Sequence, residues 1–554
     1  MMDTIHSTTT TSFEEETNNT IITSPVTTTL EQQVQTFWKE LSILRISGGL
    51  SKTTIQCRLK QAKAYPSITS LSCYRIDFDS DLTNHMVELL KQQQQQQQQE
   101  HQHQHQHQHL HDENPVRRNS NGHRRYFESM ELRCCQGHVG RIVETVLASS
   151  SMKRLSLVDN GQDLSAVTAF ALREGLIAQT VHYNKTSPND EENQPLIHLT
   201  LSFPFLATTW KILQPGFSQT TILQVLDLSA SQFPTKSDDE SMMDDESAVT
   251  YLAHALQTNT SINTVDLRRC HLIDQQVAVL IQAMIVNVNS AIETLHLEGN
   301  ACGTQTLLAL TQLLSPLQQQ LPMGSCVQES ATTKNRSLSS LFLTHEELSE
   351  DRVMGLAQFV HALRFPSCTL QQLSLGQYMF LEDDMTIFAD SLCLNHTLNS
   401  LSLWTCGITT AGIHYFALRL VDMKGLIKLA IPGDAISVLL SPASCEGDGI
   451  HPKKGGLTQN VYLRTLNVPP ECQLNDTIRY YLDLNRGGRR LLREPNIPSS
   501  LWPLVLARAF NTVTYVANDT HQSRLNVLYC LLRYRILLEY QNHSRVNDPF
   551  VMES

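Results

Sequence analysis

The sequence has no run of about 18 uninterrupted apolar residues, the length that a transmembrane helix needs. Its most apolar late segment, residues 525–540, is broken by Arg533 and Arg535. The first 16 residues are rich in threonine and acidic side chains and lack the apolar core of a signal peptide. We therefore expect no membrane partner and a protein that is not secreted.

An excess of positive charge is also absent. The chain has 42 Lys and Arg residues against 54 Asp and Glu residues, so its net charge is −12 and its pI is about 6.0. Proteins that bind nucleic acid mainly through the phosphate backbone carry a basic surface. The charge balance therefore predicts that nucleic acid is not the partner.

The short motifs that accompany common catalytic sites are missing. There is no Gly-x-x-x-x-Gly-Lys-Ser/Thr, no Gly-x-Ser-x-Gly and no His-Glu-x-x-His. His345 and Glu346 are adjacent, but no third residue is placed to orient them as a catalytic pair. The basic stretch 486–490 could contact phosphate or act as a nuclear address, and a loop that closes a helix is an equal interpretation. We expect no enzymatic activity and no cofactor.

The cysteines lack the spacing of a disulfide framework. They number 13, an odd count, and several recur at repeat positions. Those at repeat positions have no neighbouring His or Cys at the spacing of metal ligands, so no metal site is predicted. A reducing compartment, the cytoplasm or the nucleus, fits this usage.

What the sequence does contain is a repeated Leu-x-x-Leu-x-Leu pattern, and each copy is followed by a stretch with helical periodicity. Leu373, Leu401 and Leu429 occupy one position of the pattern at steps of 28 residues. A period of this length with one strand and one helix predicts an α/β fold, the leucine-rich-repeat solenoid. The clearest copies begin at Leu223, Ile262, Ile292, Leu338, Leu370, Leu398, Leu426 and Leu463.

The next inward position after each strand has its own preference. Asn offers donors and an acceptor to a buried turn, and Cys is compact and tolerates burial. We therefore expect structural roles for the residues at this position, which are Cys135, Asn160, Cys270, Asn300 and Cys406.

With these repeats and this Asn/Cys position, residues 127–485 resemble the ribonuclease-inhibitor-like subfamily of leucine-rich-repeat proteins. The resemblance implies a horseshoe with parallel strands on the inner, concave face and helices outside. The segment after the repeats is similar to the C-terminal part of diatom-type repeat proteins. We expect residues 486–554 to form a helical cap on the last coil.

The region before the repeats is predicted to hold two further parts. Residues 1–28 are threonine-rich and acidic, and we expect a disordered tail there. Apolar residues then recur at helical spacing up to Leu44. Residues 29–66 are therefore predicted to form a helical N-terminal cap, with a partner-binding helical hairpin as the alternative, and the solenoid is predicted over 67–485.

A low-complexity tract interrupts the predicted solenoid at residues 92–125. It begins with eight glutamines and continues with alternating His and Gln. Such a tract cannot bury enough apolar area to offset its chain entropy, so a disordered insertion is predicted. Alternating His side chains can bind a transition metal, but a tolerated expansion of the repeat is the preferred interpretation.

The variable residues between the strand leucines are predicted to lie side by side on the concave face. Some are charged, and others are aromatic. Aromatic anchors beside Arg are typical of the residues that dominate protein interfaces. The predicted partner-binding patch consists of Asp266, Arg268, His296, Glu298, Phe342, Tyr378 and Trp404.

Solenoids expose long surfaces suited to other macromolecules. The sequence therefore predicts a non-enzymatic interaction scaffold that binds a partner protein on the concave face. One alternative is a regulator of a small GTPase, because the resembled subfamily includes a Ran GTPase activator. Another alternative is a ubiquitin-ligase substrate receptor, with residues 497–508 as the adaptor helix.

Overall fold

The structure is a computed structural model that describes most of the repeat region. The predicted disordered tail at 1–28, and almost all of the predicted cap at 486–554 with its similarity to diatom-type proteins, lie outside the described residues. The described residues are 43–64, 68–108, 127–149, 152–159, 163–184, 196–233, 247–315, 338–345, 355–440, 456–469, 472, 474, 476–486 and 490.

Within the described residues, thirteen parallel strands form one sheet, and each strand pairs with its neighbours in chain order. A path that adds one strand at a time in this way is a solenoid. The predicted α/β leucine-rich-repeat fold is confirmed. The strands are β1 Ile43–Ser47, β2 Ser70–Tyr74, β3 Ser129–Arg133, β4 Arg154–Val158, β5 His198–Ser202, β6 Val225–Asp227, β7 Thr264–Asp266, β8 Thr294–Leu297, β9 Ser340–Thr344, β10 Gln372–Gly376, β11 Ser400–Ser402, β12 Lys428–Ala430 and β13 Thr465–Asn467.

Helices connect the strands, and from α1 to α12 each helix packs against the next one along the chain. Ser and Thr begin several of them; Ser165 Oγ, for example, accepts a hydrogen bond from the Thr168 backbone N–H at 3.2 Å. None of the described helices combines the length and the apolar content needed to cross a membrane. The helices are α1 Lys52–Ala64, α2 Ser80–Gln108, α3 Val139–Leu147, α4 Ala166–Tyr183, α5 Ala207–Gln219, α6 Ala248–Thr258, α7 Asp274–Val286, α8 Thr304–Leu314, α9 Leu356–Ala362, α10 Glu382–Leu394, α11 Thr410–Arg419, α12 Ile436–Leu440 and α13 Asp476–Arg486.

The repeat leucines form one continuous core between the sheet and the helices. Burial alternates along the strands, so that Leu199 and Leu201 of β5 are fully buried while His198 and Thr200 are partly exposed. Burying a leucine side chain contributes roughly 1.5–3 kcal/mol, which makes this seam the main source of stability. Among the described residues, no helix packs against the other face of the sheet. We call it the open face.

The N-terminal boundary of the solenoid differs from the prediction. Residues Ile43–Ser47 form β1 and pair in parallel with β2, so the prediction of a helix through Leu44 is wrong. Leu44 and Ile46 are buried and alternate at the period of a strand, which lets them extend the leucine core. The described part of the sheet therefore begins at Ile43 rather than near residue 67, and α1 follows as the helix of that first described coil.

The glutamine tract also differs from the prediction. Helix α2 continues from the packed residues of its repeat through the glutamines to Gln108, so disorder from residue 92 is wrong as far as that point. Gln is a good helix former, and an already packed helix needs no new nucleus to extend. Gln94 Nε2 donates to the Ala148 carbonyl at 2.8 Å. The rest of the predicted insertion, 109–125, lies outside the described residues.

Several strands end in a turn that places one side chain in the core, and we call that place the inner turn position. In the turns of Cys270 and Asn300 the preceding residue has a left-handed backbone, with φ of 55° at Arg269 and 78° at Gly299. Cys270 Sγ donates to the Leu228 carbonyl at 3.1 Å, and Asn300 Nδ2 donates to the Leu267 carbonyl at 2.8 Å. The predicted structural role is confirmed for Cys270, Asn300 and Cys406, whereas Cys135 is only partly buried and Asn160 lies outside the described residues.

A second set of buried asparagines, which the sequence analysis did not predict, lies where the chain leaves the helices. We call this the outer turn position. Asn259 Nδ2 donates to the carbonyls of Phe217 and Thr220 at 2.7 and 3.0 Å. Its Oδ1 accepts from the backbone N–H groups of Ser261 and Ile262. The same position is occupied by Asn287, Asn395, Asn460 and Asn485.

Candidate binding surface on the open face

One continuous row of side chains runs across the open face. Strand register pairs Asp266 with His296 and His296 with Phe342, so these predicted neighbours do adjoin one another. Whether they bind a partner stays a prediction. In strand order the row is Arg45, Ser72, Glu131, Ser156, Thr200, Asp227, Asp266, His296, Phe342, Ser374, Ser402, Ala430 and Asn467.

Asp266 and Arg268 form a tight pair in the middle of the row. Arg268 Nε lies 3.0 and 2.9 Å from the two carboxylate oxygens of Asp266, and the Arg268 backbone N–H donates to the same carboxylate at 3.0 Å. This hydrogen bonding raises the pKa of the Arg268 guanidinium. The Asp266 side chain is 9% exposed and that of Arg268 is 50% exposed. Asp266 therefore positions Arg268, and Arg268 is the group that a partner would meet.

His296 and Phe342 stack on neighbouring strands of the row. Their ring centroids are 4.4 Å apart and their planes differ by 12°. His296 Nδ1 lies 3.5 Å from Glu298 Oε2, which is too long for a good hydrogen bond. His296 therefore supports one face of the Phe342 ring, and the ring remains partly exposed.

Trp404 completes an aromatic patch with Phe342. Trp404 follows β11 and is 43% exposed, while β10 lies between the two aromatic residues and contributes Ser374 and Gly376. A Cβ atom on Gly376 would lie only 2.7 Å from Thr344 Cγ2, so this part of the surface is closely packed and low. Two strand spacings, about 10 Å, separate β9 from β11. We use the name aromatic patch for Phe342, Ser374, Gly376 and Trp404.

Tyr378 does not belong to this surface, although the sequence analysis placed it there. Its side chain is fully buried and its hydroxyl donates to the Cys302 carbonyl at 2.7 Å. Gln377 before it has a φ of 62°, so Tyr378 occupies the inner turn position of its repeat. It also stacks on His345, with ring centroids 5.6 Å apart. Because it is part of the core, it is removed from the candidate site.

A groove of about 260 Å³ opens on the part of the open face formed by β1 to β5. The sequence does not predict this groove, because the helical spacing up to Leu44 predicts a helix where the strand that carries Arg45 lies. Recognising that Leu44 and Ile46 alternate would have placed Arg45 between them, on the open face. We call this the serine–arginine groove, and its lining includes Arg45, Arg154, Glu131, His198, Ser70, Ser72, Ser129 and Ser156.

Comparison with known proteins supports leucine-rich repeats and little beyond them. No family model matches the chain. Over 152 residues it is 31% identical to mouse "NACHT, LRR and PYD domains-containing protein 14", which is 27% of this chain. The chain spans only 13% of the length of that relative.

Among solved structures, "Leiomodin-1 Actin-Binding Site 2 (ABS2)" aligns with 28% of this chain and 85% of its own. The sequence identity is 20% and the TM-score is 0.22, a value that supports no inference about this chain. The fold that the sheet and helices define is the leucine-rich-repeat solenoid, and the mouse relative agrees with it by the repeats in its name.

Proposed function

We propose that this chain is a non-enzymatic scaffold that binds a partner protein on the open face of its solenoid. The observation that carries the proposal is the row of mixed side chains across thirteen adjacent strands, over which no helix of the described residues is packed. Repeat solenoids commonly bind other macromolecules on the face formed by their strands. The lack of catalytic motifs in the sequence supports the non-enzymatic part, and the proposal requires neither a cofactor nor a metal.

The aromatic patch is the proposed centre of this interface. Trp, Tyr and Arg are the residues whose truncation costs interfaces most, often about 2 kcal/mol or more. Trp404 and Arg268 are both exposed, and Phe342 is held flat against His296 before any partner arrives. A preformed aromatic surface loses little side-chain entropy on binding. An apolar side chain of the partner would lie over Ser374 and Gly376, between the two aromatic rings.

The test is capture of partners from native lysate on immobilised protein, followed by comparison of variants. The Phe342→Ala/Trp404→Ala double variant should retain less than about a tenth of a captured partner. Ser374→Arg, which adds bulk and charge between the rings, should have a similar effect. Phe170→Ala is the matched control, because Phe170 on α4 is 45% exposed, much like Trp404. Equal capture by wild type and both patch variants would refute the patch.

Two finer statements belong to the same proposal. We propose that the repeats are of the ribonuclease-inhibitor-like type, supported by the 28-residue steps and the helix in each repeat. We also propose an intracellular site of action, cytoplasmic or nuclear. It is supported by buried cysteines such as Cys73 and Cys270, which hydrogen bonding and packing hold as free thiols.

A further inference from the structure

We propose that the serine–arginine groove is a separate site that binds an acidic segment of a partner protein through Arg45 and Arg154. The groove lies on β1 to β5, whereas the aromatic patch lies on β9 to β11. The proposal names the chemistry of a partner and rests on the proposed role of the open face in protein binding. It is tested on different residues, with a different probe, so its failure is distinguishable from failure of the aromatic patch.

The two arginines of the groove carry uncompensated positive charge. Arg45 and Arg154 are exposed, and within the described part of the chain no carboxylate pairs with either guanidinium. The nearest acidic residue of the lining, Glu131, is already engaged. Its Oε2 accepts from Ser72 Oγ at 2.8 Å and its Oε1 pairs with Arg133 at 3.0 Å. The groove is therefore cationic in a chain whose net charge is −12.

His198 lies beside charges of both signs. Burial is the main cause that lowers its pKa; Asp227 and Asp266 act to raise it, and the positive charge of Arg154 acts to lower it. The imidazole is therefore biased towards its neutral form. A neutral His198 accepts or donates a hydrogen bond beside the arginines without adding charge of its own.

Small hydroxyl side chains line the floor between the arginines. Ser70, Ser129 and Ser156 face the groove, and in the described structure their hydroxyls have no hydrogen-bond partner. Such hydroxyls leave space for a ligand backbone and can donate to carboxylate oxygens. The combination of free hydroxyls and unpaired guanidinium groups is suited to carboxylates, because charge-assisted hydrogen bonds are the strong ones.

The spacing of the arginines defines the kind of segment. Arg45 is on β1 and Arg154 is on β4. Arg154 pairs with Ser129 rather than with Glu131, so it lies in the row of side chains next to the row that contains Arg45. The two strands are three strand spacings of ~4.8 Å apart, and the two arginines are also offset by two residues along the strand direction. Their Cα atoms are therefore ~16 Å apart. An extended peptide advances ~3.3 Å per residue. Two acidic side chains four or five residues apart would therefore meet both guanidinium groups.

The test uses a fluorescein-labelled peptide with two glutamates four residues apart in a Gly/Ser background, titrated with the full chain at low salt. Wild-type protein should bind it, with affinity that falls as salt is added. Arg45→Ser and Arg154→Ser should each weaken binding about tenfold, which is the loss of one charge-assisted hydrogen bond. Serine is chosen because it occurs naturally at Ser72 and Ser129 on neighbouring strands.

Matched controls separate a site from general charge. Arg141→Ser/Lys211→Ser removes two exposed positive charges from α3 and α5, on the helical side, and should leave peptide affinity unchanged. Glu131→Gln removes the competing carboxylate and frees Arg133, so it should strengthen binding about two- to threefold. A peptide with adjacent glutamates and the same composition should bind more weakly than the spaced peptide.

Three outcomes would overturn the proposal. The wild type fails to bind the spaced peptide, or the Arg45→Ser and Arg154→Ser variants bind it as well as the wild type does. In the third outcome, a single-stranded oligonucleotide displaces the labelled peptide at a lower concentration than the unlabelled peptide does. That result would mean that the groove binds a phosphate backbone. Peptide binding that survives Phe342→Ala/Trp404→Ala supports the groove, whatever that variant does to captured partners.

Discussion

Each coil of this solenoid turns twice, and the two turns differ in how strictly they choose their buried residue. The inner turn position, after the strands, holds Cys270, Asn300, Tyr378 and Cys406, and Ser231 in one further repeat. The outer turn position, after the helices, holds asparagine at residues 259, 287, 395, 460 and 485. The inner turn accepts four residue types, whereas the outer turn holds asparagine in these five repeats and Thr220 in one more, where the threonine hydroxyl accepts from the Ile222 and Leu223 N–H groups.

The number of backbone groups that each side chain must satisfy explains the difference. At the inner turn Cys406 makes a single donation, to the Leu375 carbonyl of the preceding strand. At the outer turn the Asn395 amide donates to the Leu363 carbonyl while its oxygen accepts from the N–H groups of Thr397 and Leu398. An amide side chain carries its donor and its acceptor on separate atoms, so it can meet both parts of that demand at once. A hydroxyl, a thiol or a phenol meets the simpler one.

The largest expected effect is at the outer turn. Asn395→Ala would leave one buried carbonyl and two buried N–H groups without a partner, and each costs about 1–3 kcal/mol when unsatisfied. We expect the free energy of unfolding to fall by about 3 kcal/mol, measured by urea denaturation. Asn399→Ala is the control, because the partly exposed Asn399 side chain makes no hydrogen bond within the described structure. If Asn395→Ala lowers the free energy of unfolding no more than Asn399→Ala does, the proposed difference between the two turns is wrong.

A middle-sized effect is expected at the one aromatic residue of the inner turn. Tyr378→Phe keeps the ring and removes the hydroxyl that donates to the Cys302 carbonyl, so stability should fall by about 1–2 kcal/mol. Partner capture should not change, because the side chain is fully buried. Trp404→Ala should show the reverse, with weaker capture and unfolding within about 0.5 kcal/mol of wild type. If Tyr378→Phe impairs capture while stability holds, Tyr378 belongs to the surface after all.

The same comparison explains which parts of the molecule the sequence predicts. The leucine period specified the strand positions, and their register then placed Asp266, His296 and Phe342 in one row. Tyr378 was wrongly predicted to lie on the surface because the inner turn tolerates many residue types. The residue type alone therefore does not indicate that an aromatic side chain at this position is buried. Its position three residues after Leu375, like Cys270 after Leu267, was the available signal.

Two other errors had a different physical origin. The strand β1 has only Leu44 and Ile46 as an inward pair, too short a pattern to outweigh the helical spacing before it. The glutamines of α2 were judged by their own composition, although the packed helix before them supplies the nucleus that they lack. For β1 the deciding contact is its pairing with β2 of the next coil, which no local window contains.

A smaller effect is expected when one inner-turn residue is exchanged for another. Cys270→Ser keeps a donor to the Leu228 carbonyl, as Ser231 already does for the Leu201 carbonyl at 2.9 Å. It should cost less than about 1 kcal/mol, whereas Cys270→Ala leaves that carbonyl unpaired and should cost about 1 kcal/mol more than Ser. Thermal unfolding of both variants checks the order. Serine that is more damaging than alanine would mean that the thiol is needed for packing rather than for its donor.

The smallest effect is one on reactivity, with no change in stability. Burial raises the pKa of the Cys406 thiol to about 12, and burial likewise raises the pKa of Cys270. The thiolate is the species that reacts, so its fraction at pH 8 is roughly one ten-thousandth at Cys406. Iodoacetamide at pH 8 should therefore modify the exposed Cys57 before Cys406 and Cys270, with mass spectrometry of tryptic peptides as the measurement.

Unfolding in urea should bring the rates of Cys57 and Cys406 together, because burial is what separates them. Labelling of Cys406 should keep rising with pH, about tenfold per pH unit, until the pH reaches the raised pKa. Native protein in which Cys406 reacts as fast as Cys57 would show that the inner turn opens readily. A turn that opens so readily would not hold Trp404, two residues before it, in the fixed position that the aromatic patch requires.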